Sequence, residues 1–199
     1  MASSMTGPAG SVKLKVCLAG EAAVGKTSVI RRFVEDAFDD RHIVTMGAKV
    51  TKKEIHAKMP GSGEDIRTVL TIWDIVGHAG FKDFIKGSYF RGCQGILAVC
   101  DVTRPSTLTR LEGWRDAIWS TAGKIPIHIL ANKTDLEAET RLWEGEIEDF
   151  SADWGTSYRL TSAKTGVGVE EAFGELADLM LRAQFRQTPP DLVRRTRVY

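Results

Sequence analysis

The stretch Gly20-Glu21-Ala22-Ala23-Val24-Gly25-Lys26-Thr27 fits G-x-x-x-x-G-K-[ST]. This loop surrounds a nucleotide's phosphates with backbone N–H groups, while its lysine and final hydroxyl reach the terminal phosphates and Mg²⁺. Three further polar clusters each close a short strand-like run. They are Asp74-Ile75-Val76-Gly77 after Trp73, Asn132-Lys133-Thr134-Asp135 after Ala131, and Thr161-Ser162-Ala163-Lys164 after Leu160. In an open parallel sheet ligands bind beyond the carboxyl ends of the strands, so these clusters are where chemistry is expected.

The elements that would position them are legible in outline. Val12 to Ala19 alternates and then turns apolar, as a strand entering a core does. Thr27-Ser28-Val29-Ile30-Arg31-Arg32-Phe33 can begin a helix whose free amides and positive dipole end point at the phosphates. Phe38 to Gly47 is too polar and irregular for a core element and reads as a loop. Residues 48–59 and 66–73, joined by Pro60-Gly61-Ser62-Gly63-Glu64-Asp65, form an expected hairpin whose lysine-rich outer strand discourages pairing with another chain. Gly95–Cys100 and Ile125–Ala131 read as buried parallel strands, and Ser157–Leu160 as a further short strand. Ser106 is the expected cap of a helix carrying Leu108, Leu111, Trp114 and Ile118, and Val169 to Ala183 has helical spacing. The expectation is one α/β domain over 12–185, a six-stranded mostly parallel sheet with helices on both faces. A flexible N-terminus (1–11) and a short basic tail (186–199) flank it.

Lys+Arg 27 against Asp+Glu 26 leaves a net charge of +1, which argues against nucleic acid as the main partner. Cys17, Cys93 and Cys100 lie among apolar residues with no C-x-x-C spacing, so core packing in a reducing compartment is expected. No secretory signal or long apolar span is legible, and a cytoplasmic location follows as an expectation.

The order G-x-x-x-x-G-K-T, Thr45, D-x-x-G, N-K-x-D and S-A-K resembles the motif set of the Ras superfamily of small GTPases, over almost all of residues 12–185. Trp73 to Phe81, Tyr89-Phe90-Arg91-Gly92 and Asp101-Val102-Thr103 look most like its Rab branch. The resemblance implies the P-loop fold, a GTP/GDP cofactor with Mg²⁺, and hydrolysis of GTP in a switch cycle. It places Ala22, Ala23, Val24, Gly25, Lys26, Thr27 and Ser28 around the phosphates, and Thr27, Thr45 and Asp74 at the metal. Lys26 and the Gly77 amide would hold the γ-phosphate, so Thr45 and Gly77 would tie two loops to one group and release them when it leaves.

Base choice would rest on Asp135, whose carboxylate can accept from guanine's ring N–H and exocyclic amine. Asn132 and Lys133 would support the base, the Ala163 amide between Ser162 and Lys164 would bond the guanine carbonyl, and Phe38 would pack against the ring. Effector, exchange-factor and activating proteins would read residues 39–50 and 74–91. Trp73 and Tyr89 match two members of the branch's aromatic surface triad, with Val50 at the third position.

Four departures stand out. His78 replaces the usual glutamine after D-x-x-G; a neutral imidazole can orient the attacking water, and an uncatalytic solvent-facing histidine is the other reading. Ala22 replaces the usual glycine beside the γ-phosphate, where its methyl would crowd an incoming arginine finger. Both point to slow hydrolysis, with a GTP-binding platform that hardly hydrolyses as the alternative; a monomer is expected. His42 stands where relatives often place a tyrosine over the nucleotide. Residues 186–199 contain no cysteine and position 2 is Ala2, so no direct lipid anchor is expected, and any membrane recruitment would pass through a protein partner.

Overall fold

The computed structural model describes residues 11–39, 48–75 and 89–186. Six strands form one sheet: β1 (Ser11–Ala19), β2 (Ala48–Lys58), β3 (Asp65–Ile75), β4 (Gly95–Asp101), β5 (Ile127–Asn132) and β6 (Ser157–Thr161), in the order β2-β3-β1-β4-β5-β6. All neighbours are parallel except β2 and β3. The expected hairpin is there, and its lysine-rich strand β2 is an edge. Along β2, Lys52, Glu54, His56 and Lys58 are exposed while Ala57 is buried, the period-two alternation of a half-covered strand.

Helices cover the two faces. One face carries α1 (Lys26–Glu35) and, from the chain's far end, α5 (Val169–Arg186). Their Phe33 and Phe173 rings stack at 3.7 Å, and Lys53 of β2 lies 3.9 Å over Phe33 and pairs with Glu170 at 3.1 Å. Edge strand, first helix and last helix are thereby locked together behind the phosphate loop. The other face carries α2 (Ser106–Thr109), α3 (Leu111–Ala122) and α4 (Glu144–Asp153), packed on β4 and β5 through Leu111, Trp114, Ile118 and Ile147. Cys17, Cys93 and Cys100 are buried free thiols.

Two local expectations are corrected. Ser106 does not cap a helix: it is the first residue of α2, after Pro105 at φ −51°. Proline's fixed φ is already helical, so the turn begins there and takes Ser106 inside it. Thr107 supplies the local bonds instead, accepting from the Asp101 amide at 2.9 Å and donating to the Arg104 carbonyl at 2.7 Å. The fifth strand starts at Ile127 rather than Ile125, because Pro126 has no N–H to give the ladder.

Candidate nucleotide site

β1, β3, β4, β5 and β6 all end on the same edge of the domain, and their following residues converge there. The loop between β1 and α1 bends through three positive-φ residues, Gly20 (138°), Ala23 (60°) and Gly25 (99°). Two glycines are sterically required. A Cβ on Gly20 would lie 2.2 Å from the Val99 carbonyl oxygen, and one on Gly25 would lie 2.4 Å from Asn132 Nδ2. Val24 is fully buried and pins the loop's underside. No side chain caps the start of α1, so its first-turn amides are presented by backbone alone, as an anion site requires.

Lys26 is buried, with Nζ donating to the carbonyls of Gly20 at 2.9 Å and Glu21 at 2.8 Å. Burial lowers its pKa from 10.5 to about 8, against the opposing pull of Asp74 and Glu21. A bound phosphate anion would favour the charged amine and raise that value, so binding takes up a proton wherever the free protein has lost one. The expected result is negligible proton uptake at pH 7 and uptake approaching one proton per nucleotide at pH 9, with affinity falling up to roughly tenfold per pH unit above about 8. Calorimetry in buffers of different ionisation enthalpy measures this; pH-independent binding through that window would contradict it.

Thr27 Oγ1 donates to Asp74 Oδ2 at 2.6 Å, joining the phosphate loop to the end of β3. A hydroxyl and a carboxylate are hard oxygen donors, the type that Mg²⁺ takes. Thr45, Gly77 and His78 lie outside the described residues.

The base side is built around Asn132, whose side chain bridges three segments. Nδ2 donates to the Val24 carbonyl at 2.9 Å, while Oδ1 accepts from the Ala163 amide at 3.1 Å and from Thr161 Oγ1 at 3.3 Å. The amide assigned above to a guanine carbonyl is thus held by Asn132 here. Asp135 accepts from Ser162 Oγ at 2.6 Å, and Thr134 donates to the Thr161 carbonyl at 3.1 Å, so both loops share one framework. Arg32 of α1 reaches the carbonyls of Ala163 (3.0 Å) and Lys164 (2.6 Å). Ser28 and Phe38 are half-buried, and Phe38 packs against the core face that carries α1 and α5. Lys133, at φ 74°, places Nζ 2.7 Å from Asp101 Oδ2.

Several participants escape sequence reasoning. Asp101, at the end of β4, is fully buried and also accepts from the Thr103 amide and hydroxyl at 2.9 and 2.7 Å and from Arg104 Nε at 3.0 Å. Burial pushes its carboxyl up, but Lys133 and Thr103 outweigh that and hold it below the usual carboxylate range. Glu21 of the phosphate loop pairs with Arg110 at 3.1 Å and accepts from Trp114 Nε1 at 3.4 Å. Asp101 had one available signal, a carboxylate closing an apolar strand; Arg104 and Arg110 had none, since their partners lie 82 and 89 residues away.

On the surface beside β3, Trp73 and Tyr89 meet edge-on at 6.3 Å, Lys15 Nζ sits 4.1 Å over the indole, and Val50, 46% exposed, is Trp73's neighbour across the hairpin. Among the described residues, no helix is long and apolar enough to cross a membrane.

A sequence model described as the Ras family matches residues 15–182. The Ras-related protein Rab-13 of Mesocricetus auratus is 33% identical over 178 residues, covering 87% of this chain and 83% of its own. Rab-21 of Dictyostelium discoideum is 34% identical over 168 residues (84% and 76%), and Rab-1D of the same organism 34% over 183 (90% and 86%). With the sheet order and the strand-end loops already described, these matches identify the chain as a Rab-like member of the Ras family, a small GTPase that works as a nucleotide-dependent switch.

Proposed function

We propose that the site binds GTP and GDP with Mg²⁺ and hydrolyses GTP slowly when no activating protein is present. The observation that carries the site assignment is the Asn132 bridge: one buried side chain closes the phosphate loop at Val24 and the last loop at Ala163, so phosphate and base positions form one unit. Lys26 would hold the terminal phosphates as a buried cation, and Thr27 and Asp74 would hold the metal, with Thr45 as the ligand that depends on the γ-phosphate. Mg²⁺, when bound, supplies neutralisation of charge developing on the phosphate oxygens. The Gly77 amide would bond the γ-phosphate, and His78 would orient the attacking water as a neutral imidazole.

Asp135 would select guanine, within the frame that Ser162 and Asn132 give it. Ala22 is exposed on the phosphate loop, where its methyl would obstruct a catalytic side chain or an incoming arginine. Partners that load, discharge and read the switch would contact residues 39–50 and 74–91, including the Val50 and Trp73 surface.

Single-turnover phosphate release from protein preloaded with GTP and Mg²⁺ tests the slow-hydrolysis reading. The expected result is a slow rate that rises as histidine deprotonates, over roughly pH 5.5–8.5, falls in His78→Ala, and increases in Ala22→Gly. Rates unchanged in both variants would remove the roles given to these residues. No turnover in any of them would favour a GTP-binding platform.

A further inference from the structure

Nothing in the motif set accounts for the arginine that reaches back from the end of β4 to the phosphate loop. Arg104 Nη2 donates to the Ala22 carbonyl at 3.1 Å, across 82 residues of chain, while its Nε is fixed on the buried carboxylate of Asp101 at 3.0 Å. The Ala22–Ala23 peptide is trans and planar, so the Ala23 N–H points opposite to the Ala22 carbonyl and therefore away from Arg104. Ala23 holds φ 60°, a left-handed conformation that costs a non-glycine residue roughly 1 kcal/mol. A peptide set at such a residue needs an outside hold to keep one orientation.

The neighbouring peptides are pinned by other groups. The Glu21 carbonyl accepts from Lys26 Nζ while its carboxylate is held by Arg110 and Trp114, and the Val24 carbonyl accepts from Asn132. Arg104 acts between those two anchors, on the peptide that joins Ala22 to Ala23.

We propose that Arg104 is a positioning residue for nucleotide binding: by drawing the Ala22 carbonyl outward it aims the Ala23 amide at the phosphate chain. This rests on the functional reading above. Asp101 holds Arg104 and the base-loop Lys133 on the same carboxylate oxygen, so the phosphate loop and the base loop share one buried anchor. Because the Arg104 side chain is 43% exposed, its loss removes a directed hydrogen bond without opening the core.

The test compares the full chain with Arg104→Ala, loaded with Mg²⁺ and either a fluorescent GDP or a non-hydrolysable GTP analogue. Release of each nucleotide is followed, and the Ala23 amide resonance is read by NMR in the loaded state. Loss of one charge-assisted, half-exposed hydrogen bond is expected to speed release about three- to tenfold, with the Ala23 amide among the most shifted resonances of the loop. If the native chain retains nucleotide and Arg104→Ala leaves release and the Ala23 amide unchanged, the proposal falls while the functional reading stands. Faster release with an unmoved Ala23 amide also overturns it, since general loosening then explains the effect. A native chain that fails to retain guanine nucleotide overturns the functional reading and this proposal with it.

Discussion

Asn132→Ala is expected to weaken GDP binding by about 10²–10³-fold and to lower thermal stability in the same protein. The variant leaves the Val24 carbonyl, the Ala163 amide and the Thr161 hydroxyl without the bonds they make to this side chain, at a site where Asn132 is 1% exposed. Each unsatisfied buried polar group costs about 1–3 kcal/mol. Part of that loss appears in folding and part in binding, because the loops it joins would lose their relative placement. Nucleotide release kinetics and a melting curve on the same preparation measure the two parts. Release at the native rate would mean that the loops are held by something other than this bridge.

The Asn132 bridge also marks the limit of what spacing can reveal. Gly20, Gly25, Lys26 and Thr27 are legible because a turn, a helix start and an anion site impose local demands within one short stretch. Asn132 and Asp135 are legible as polar residues closing a buried strand. That Asn132 Nδ2 occupies the space beside Gly25, so that a methyl there would collide with it, depends on two segments more than a hundred residues apart. The strands themselves were readable from apolar runs because a parallel sheet is covered on both faces.

Boundaries failed where one residue's backbone chemistry outweighed the pattern. Pro105 drew a helix start back to Ser106, and Pro126 delayed a strand. The supports around the phosphate loop, Arg104 on Ala22 and Arg110 on Glu21, were invisible for a different reason. Arginines after a strand are ordinary surface residues until the fold brings their partners under them.

Asp135→Ala is expected to abolish base discrimination while leaving the phosphate loop intact. Ser162 Oγ holds the Asp135 carboxylate at 2.6 Å, and Ser162 in turn accepts from the Thr165 amide at 3.1 Å, so the acceptor is pre-oriented by its own loop. A site built to hydrogen-bond particular donors rejects an analogue lacking them by about 10⁴–10⁵-fold. Removing the carboxylate should bring GDP affinity down towards that for ADP, with most of the change on the GDP side. Competition binding measures the ratio directly, and a variant that still preferred GDP to the native extent would place base recognition elsewhere.

One guanine-nucleotide and Mg²⁺ site, formed by the loops at the carboxyl ends of the strands, is what the proposed function requires. Equilibrium binding of GDP and ADP to the full chain, with Mg²⁺ and then with the metal chelated, tests it most directly. The expected result is strong preference for GDP with Mg²⁺ present and much weaker GDP binding once the Thr27 and Asp74 oxygens have no metal to hold. Equal affinity for the two nucleotides, or GDP binding indifferent to chelation, would contradict it.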